Sequence, residues 1–227
     1  MVIVAKNIDY YSQYDQNTFW NVAGLSKKIV QSDIDTPLLD ASVFWRTNQE
    51  RVRYGLRPFF YHEKLREMAI LHSGQMRTHS FFDHENGYDA RYKTLTDRLE
   101  TVKNEKFNGF YCYAENIADY PVIKANESFT YTTKNGISHM YSLNGTEIFP
   151  FDYVEMAKYV VEGWMNSPGH RANILNSDYH YLGCGCAPYE DSKSGCSITY
   201  FKMTQNFGGN IVAPSIFGSI SRLSVPY

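Results

Sequence analysis

The chain has 227 residues, 43% hydrophobic and 20% charged, with a formal net charge of −2. These are ordinary globular values for one large domain, or one domain with an appendage, that can bury a sizeable core. No basic stripe is present, which argues against nucleic acid or an anionic membrane surface as a partner. No apolar run approaches the roughly 18 to 20 residues a membrane-spanning helix needs.

The opening MVIVAKNIDYYS is too short and too quickly polar for a signal peptide, so a secreted form would have its signal removed. Residues 1–37 read as an N-terminal arm packed on the main domain, with one short helix near Asn21–Val30 and a stop at Pro37. Asp40 is a suitable N-cap for a helix running to about Tyr54, and Gly55 suits its C-terminus. Leu56–Tyr61 reads as an extended link around Pro58.

The stripe Leu65, Met68, Ala69, His72 and Met76 predicts a helix over about His62–Thr78. Ser80–Gly87 reads as a loop, and about Lys93–Leu99 as a short helix. Ala114–Ala118 reads as the start of a helix or a buried turn. Three strand-like runs follow, Glu127–Thr133, Ile137–Leu143 and Thr146–Phe149, separated by turns at Asn135-Gly136 and Asn144-Gly145. That pattern predicts a β-meander inserted at about 126–150.

Met156, Ala157, Val160, Val161 and Trp164 give Asp152–Asn166 one apolar helical face, which Pro168 ends. Two strands, about Tyr181–Pro188 and Ser197–Phe207, complete a main domain over 38–209, before a tail over 210–227. Helices first and a strand pair last, without βαβ alternation, predict an α+β or three-layer αβα fold with an antiparallel sheet. There are four cysteines, Cys112, Cys184, Cys186 and Cys196. A bridge from Cys184 or Cys186 across the hairpin to Cys196 and a set of free, buried thiols are both compatible with the spacing. Of the 19 tyrosines, many fit a Tyr-rich sheet or a half-wet binding face.

Three segments carry candidate chemistry. In Ser167-Pro168-Gly169-His170, Ser167 is placed to cap a new helical turn with His170 in its first turn. The positive end of the helix would disfavour an imidazolium and keep His170 neutral near pH 7. In Phe81-Phe82-Asp83-His84, the histidine stands in a loop after an aromatic pair. In Ala114-Glu115-Asn116-Ile117-Ala118, Glu115 sits among small and apolar residues and needs a partner once buried. His84, His170 and a metal are the candidate partners. His72 reads as a core histidine, Trp164 as core, Arg171 as a partner for a carboxylate, and Asn173 as a hydrogen-bonding residue near the cleft.

These pieces, in order, resemble the CAP superfamily of cysteine-rich secretory, antigen 5 and pathogenesis-related proteins, in particular its bacterial branch. The supporting segments are "GLRPFFYHEKL", "AILHSGQM", "FFDH", "AENIA", "GWMNSPGHRANIL" and "YLGCGC…YFKMTQNFGG", spread over about Leu39–Gly209. The resemblance implies an αβα sandwich with a small antiparallel sheet. It also implies a secreted or cell-envelope location and a cleft with two histidines and two acids that binds a divalent metal in several members. Carried over, the histidines are His84 and His170 and the first acid is Glu115. The second acid position is Ser167 here, which removes one negative charge and should weaken a divalent ion such as Zn, Mg or Ca.

Two functions of different class follow. One is a binding module whose cleft, formed by His84, Glu115, Ser167, His170 and Asn173, takes a lipid, a glycan or a peptide, and is not a conventional enzyme. The other is a metal-assisted hydrolase with His84 and His170 as ligands and Glu115 as general base. No HExxH helix supports the hydrolase. A weaker third arrangement, a Ser167–His170–Glu115 serine hydrolase, lacks the strand-to-helix setting of a nucleophile elbow.

Overall fold

The computed structural model describes residues 9–124, 129–134, 137–191 and 197–211. In chain order the main elements are α1 (Thr36–Arg53), β1 (Phe60–Tyr61), α2 (Glu63–Thr78), α3 (Leu95–Val102) and β2 (Tyr113–Pro121). They continue with β3 (Phe129–Lys134), β4 (Ile137–Ser142), β5 (Glu147–Ile148), α4 (Tyr153–Asn166), α5 (Pro168–Leu175), β6 (Tyr181–Asp191) and β7 (Ile198–Gly208).

The central sheet has the order β1-β6-β7-β2. Three long strands are antiparallel, and the two-residue β1 adds to the β6 edge in parallel. Helix α2 covers one face of β6 and β7, while α1, α4 and α5 lie against the sheet from the other side. This is the three-layer αβα sandwich that the order of helices and strands predicts.

Close approach of α2 is possible because Gly183 and Gly185 have no side chain. A Cβ on Gly183 would stand 2.1 Å from Arg66 N, and one on Gly185 2.4 Å from Ile70 N. Cys184 and Cys186, which alternate with these glycines, point to the opposite face and are buried. The larger core fills that α1–α4 layer with Leu39, Phe44, Met156, Val160, Trp164 and Phe201, all essentially without solvent contact. Trp164 also donates its indole N–H to Ile117 O at 2.9 Å, so its one polar atom is satisfied inside the core. A smaller cluster of Leu65, Met68, Leu99, Phe107 and Phe110 joins α2 to α3.

Several local expectations change. The arm packs on the core through Tyr10, Phe19, Leu25 and Ile29. Among its described residues before α1 the helical turns are the short 3-10 segments Phe19–Asn21 and Gln31–Asp33, not a helix over 21–30. Gly24, at φ 100°, breaks any helix there. Pro37 does not end an element but occupies the first turn of α1, whose N-cap is Asp35, accepting from Leu38 N at 2.9 Å. Asp40 is therefore not a cap. It is buried inside α1 and paired to Arg66 at 2.8 Å. Burial raises its pKa to about 6 despite the arginine.

Ala114–Ala118 is neither helix nor turn but the middle of β2, paired residue for residue with β7. The meander forms its own three-stranded sheet, β3-β4-β5. Its neck is closed where Phe151 N donates to Val122 O at 2.7 Å. Cys112, Cys184 and Cys186 are free thiols. Cys196, the proposed bridging partner, lies outside the described residues, as do residues 1–8 and the tail beyond Ile211.

Candidate functional site

Strand β2 buries Glu115 against the α2 side of the sheet, opposite Asn206 of β7. Its carboxylate is held on both oxygens. Arg98, fully buried on α3, places Nη2 2.8 Å from Oε1 and 2.8 Å from Oε2. His84 Nδ1 lies 2.9 Å from Oε1. A carboxylate only accepts, so His84 carries its proton on Nδ1 and donates it to Glu115. Asn206, in the orientation that satisfies both its amide atoms, donates to Oε2 at 3.1 Å and accepts from Ala69 N at 3.0 Å.

Arg98 does a second job. Its guanidinium donates to the backbone carbonyls of His84 (3.2 Å from both terminal nitrogens), Tyr92 (3.1 Å) and Lys93 (3.4 Å). The loop that carries His84 is thus tied to α3 by the same residue that neutralises Glu115. Helix α3 is held in place by its capping box, in which Thr94 and Asp97 satisfy each other's backbone N–H groups. Asn86, buried in the same loop, accepts from Tyr88 N and gives its own N–H to Lys93 O at 2.8 Å.

His72 lies under this group, with no solvent contact. Its Nε2 is 3.1 Å from Asp83 O and 3.6 Å from Glu115 Oε1. The carbonyl fixes the proton on Nε2, and the buried Nδ1 has no hydrogen-bond partner among the described residues. Burial lowers the His72 pKa to about 4, against the opposing pull of Glu115.

His170 and Asn173 come from α5, on the other side of β2. Asn173 donates to Asn116 Oδ1 at 2.9 Å and to Glu115 O at 3.4 Å. Asn116 donates to His170 O at 3.2 Å and to Gln205 Oε1 at 3.3 Å, and Gln205 to Thr47 Oγ1 at 2.7 Å. This buried amide chain fixes α5, and so the His170 backbone, to the strand that carries Glu115. Burial first, then His84, lowers the His170 pKa, while the Glu115 hydrogen bond raises that of His84. The sequence reading of a neutral His170 holds in direction, with desolvation rather than the helix dipole as the leading cause.

The structure brings His84 and Glu115 into contact and ties the His170 backbone and the Asn173 side chain to the strand that carries Glu115. Ser167 stands at the N-cap of α5, where its carbonyl accepts from Arg171 N at 2.8 Å, but its hydroxyl makes no capping bond. Glu115 faces His84, not His170, so the Ser167–His170–Glu115 arrangement is not built. Among the described residues Arg171 pairs with no carboxylate; it donates to Tyr54 Oη at 3.1 Å. Arg98 was not singled out from the sequence. A helical arginine has no local signature when the carboxylate it serves is 17 residues away on a strand.

Among the described residues no group of three His, Cys, Asp or Glu side chains is placed to hold a metal ion. The donor chemistry points the same way for Glu115. Both its oxygens are taken, and a permanent guanidinium charge sits where a divalent ion would have to approach. The residues present do not fit a metal centre that uses Glu115.

The model of the Cysteine-rich secretory protein family, CAP, matches residues 44–207. The chain is 30% identical over 158 residues to "Uncharacterized membrane protein YlbC" of Bacillus subtilis, covering 70% of this chain and 33% of that protein. It is 25% identical over 174 residues to "Uncharacterized protein YkwD" of the same organism, covering 75% of this chain and 52% of that one. The chain therefore spans between a third and about half of the length of these curated relatives. A solved extracellular protein containing a SCP domain from Bacillus anthracis aligns at 26% identity with a TM-score of 0.49, over 76% of this chain and 40% of that one.

Proposed function

The chain belongs to the cysteine-rich secretory protein family, and from that premise we propose that it is a secreted or cell-envelope binding module rather than a conventional enzyme. Its cleft takes a ligand on the imidazoles of His84 and His170, with Asn173 at the side. The family's own name supports secretion, the membrane-protein name of YlbC supports a cell-envelope setting, and among the described residues no helix is long and apolar enough to cross a membrane.

One observation carries the reading. Glu115 accepts from Arg98, His84 and Asn206, so it has no free lone pair with which to take a proton from water. The hydrolase reading needs Glu115 as general base, and a base must reach the proton it abstracts. What Glu115 does instead is hold one histidine tautomer. His84, its Nδ1–H already given to Glu115, leaves Nε2 as an acceptor while the ring is neutral; His170, pKa lowered, stays neutral and keeps one N–H donor and one acceptor nitrogen. A donor and an acceptor together suit a group that carries both, such as the amide of an N-acetylated glycan or of a peptide. A lipid would have to supply such a group in its head.

The test is an NMR titration of the His84 and His170 ring signals with N-acetylglucosamine oligomers, a tripeptide and a short-chain phospholipid, with and without EDTA. Saturable shifts of both rings by one ligand, unchanged by EDTA and without turnover, are expected. Hydrolysis of any of them that disappears in His170→Ala would overturn the module reading.

A further inference from the structure

Away from the His84–Glu115 cleft, an open cavity of about 780 Å³ lies between the C-terminal part of α1, the link into β1 and the loop before β6. Its walls are largely apolar, built by Trp45, Leu56, Phe59 and Phe60, and Phe60 is 69% exposed. Two arginines, Arg51 and Arg57, line it, and among the described residues no Asp or Glu does.

Arg51 is 3% exposed. Its Nε donates to Arg57 O at 2.7 Å, and its Nη1 to Ile174 O at 2.7 Å and Asn176 O at 2.9 Å. The guanidinium lies 3.7 Å from the centre of the Phe59 ring. These contacts orient the group and offset part of its charge through carbonyl dipoles and the ring face. None of them supplies a full negative charge, and burial alone pulls the pKa down to about 10. A buried cation is normally paired, because its desolvation is expensive. The backbone bonds explain why an arginine closes the end of α5. They do not explain why an uncompensated charge sits at the side of an apolar opening with a second arginine at the rim.

We propose that this cavity is a second binding site, separate from the His84–Glu115 cleft, for a small apolar molecule bearing one anionic group. The apolar body lies on Trp45, Phe59 and Phe60, and the anion lies towards Arg51 and Arg57. Aromatic walls supply area, and the guanidinium planes supply a charge-assisted contact that a neutral analogue cannot make.

The probe is 1-anilinonaphthalene-8-sulfonate, titrated into the full folded chain beside N-phenyl-1-naphthylamine, which has the same rings without the sulfonate. One saturable site that favours the sulfonate by about tenfold is expected. Arg57→Met should weaken the sulfonate several-fold and leave the neutral probe unchanged. Phe60→Glu should weaken the sulfonate by about tenfold, through lost area and like-charge repulsion. Both side chains are exposed, so neither change threatens the fold, whereas Arg51→Met would also remove three backbone hydrogen bonds. The His84 ring signal should not move during the titration. Equal affinity for the two probes, indifference to both substitutions, or a shift of His84 that saturates with the probe would each overturn the proposal.

Discussion

A single guanidinium nitrogen, Arg98 Nη2, lies 2.8 Å from both carboxylate oxygens of Glu115, and neither side chain has appreciable contact with solvent. The pair joins α3 to β2 and, through the His84 carbonyl, to the loop between α2 and α3. It holds the loop that carries His84 against the strand that carries Glu115.

Removing one member of a buried pair leaves an uncompensated charge. Arg98→Met should cost about 3–5 kcal/mol, read as a lower midpoint in a urea melt. The double variant Arg98→Met/Glu115→Leu should recover a large part of that loss, since it removes both charges. If the double variant is no more stable than the single one, the coupling between the two residues is absent.

Glu115 raises the pKa of His84. A His whose pKa is higher folded than unfolded contributes stability below its unfolded pKa, and that contribution disappears as pH rises through the folded value. His84 should titrate above the ordinary histidine value of about 6.5 in the native protein, and Glu115→Gln should bring its midpoint down. His170 should titrate below that value, because burial and His84 both disfavour its charge. NMR titration of the two ring signals checks both; coincident midpoints in the wild type would contradict the arrangement.

His72 acts in the opposite sense. Its pKa of about 4 in the fold lies below that of an unfolded histidine, so its contribution is complete above about pH 6.5 and is lost as pH falls towards 4. Stability should drop by something on the order of 2–3 kcal/mol over that window from this residue. His72→Gln should flatten that part of the stability–pH curve, measured by urea melts at fixed pH steps. A curve as steep as that of the wild type would show that His72 is not the group responsible.

Gly183 and Gly185 let the backbone of α2 lie on β6. An alanine at either would place its Cβ under 2.5 Å from a backbone nitrogen of α2, which no rotamer change can relieve. Each Gly→Ala should cost about 3 kcal/mol or more, at the upper end for overpacking, and the double change should abolish the native melt. By contrast Gly74→Ala, on α2 itself with open space around it, should be tolerated. Equal melting temperatures for Gly183→Ala and Gly74→Ala would mean that the contact with α2 is loose.

Much of this was legible in the sequence. The stripe from Leu65 to Met76 and the face from Met156 to Trp164 have helical period, and α2 and α4 lie within a residue or so of where that period places them. The Asn-Gly turns gave the meander, and the order of "FFDH", "AENIA" and "GWMNSPGHRANIL" pointed to the family. Errors arose where a residue's local character suited two roles. Asp40 is a good cap by type, but Asp35 with Pro37 made a better one, leaving Asp40 to face Arg66. Ala114–Ala118 is too short and too mixed to reveal its period. Its strand is imposed by pairing with β7, whose residues come some 90 positions later.

By itself, then, the sequence pointed to the family, the helices with a clear apolar face, the strands of the meander and His84, Glu115 and His170 as candidates, because each is written in local periodicity or in a contiguous motif. Only the tertiary structure decided what those residues are bonded to. The register of β2 against β7 turns Glu115 towards α2 and opposite Asn206. The capping of α3 brings Arg98 to it, and the amide chain through Asn116 ties down α5. Those partners are distant in sequence and are selected by the free-energy cost of leaving a buried charge or amide unsatisfied, a cost that exists only once the sheet and its helices have closed over it.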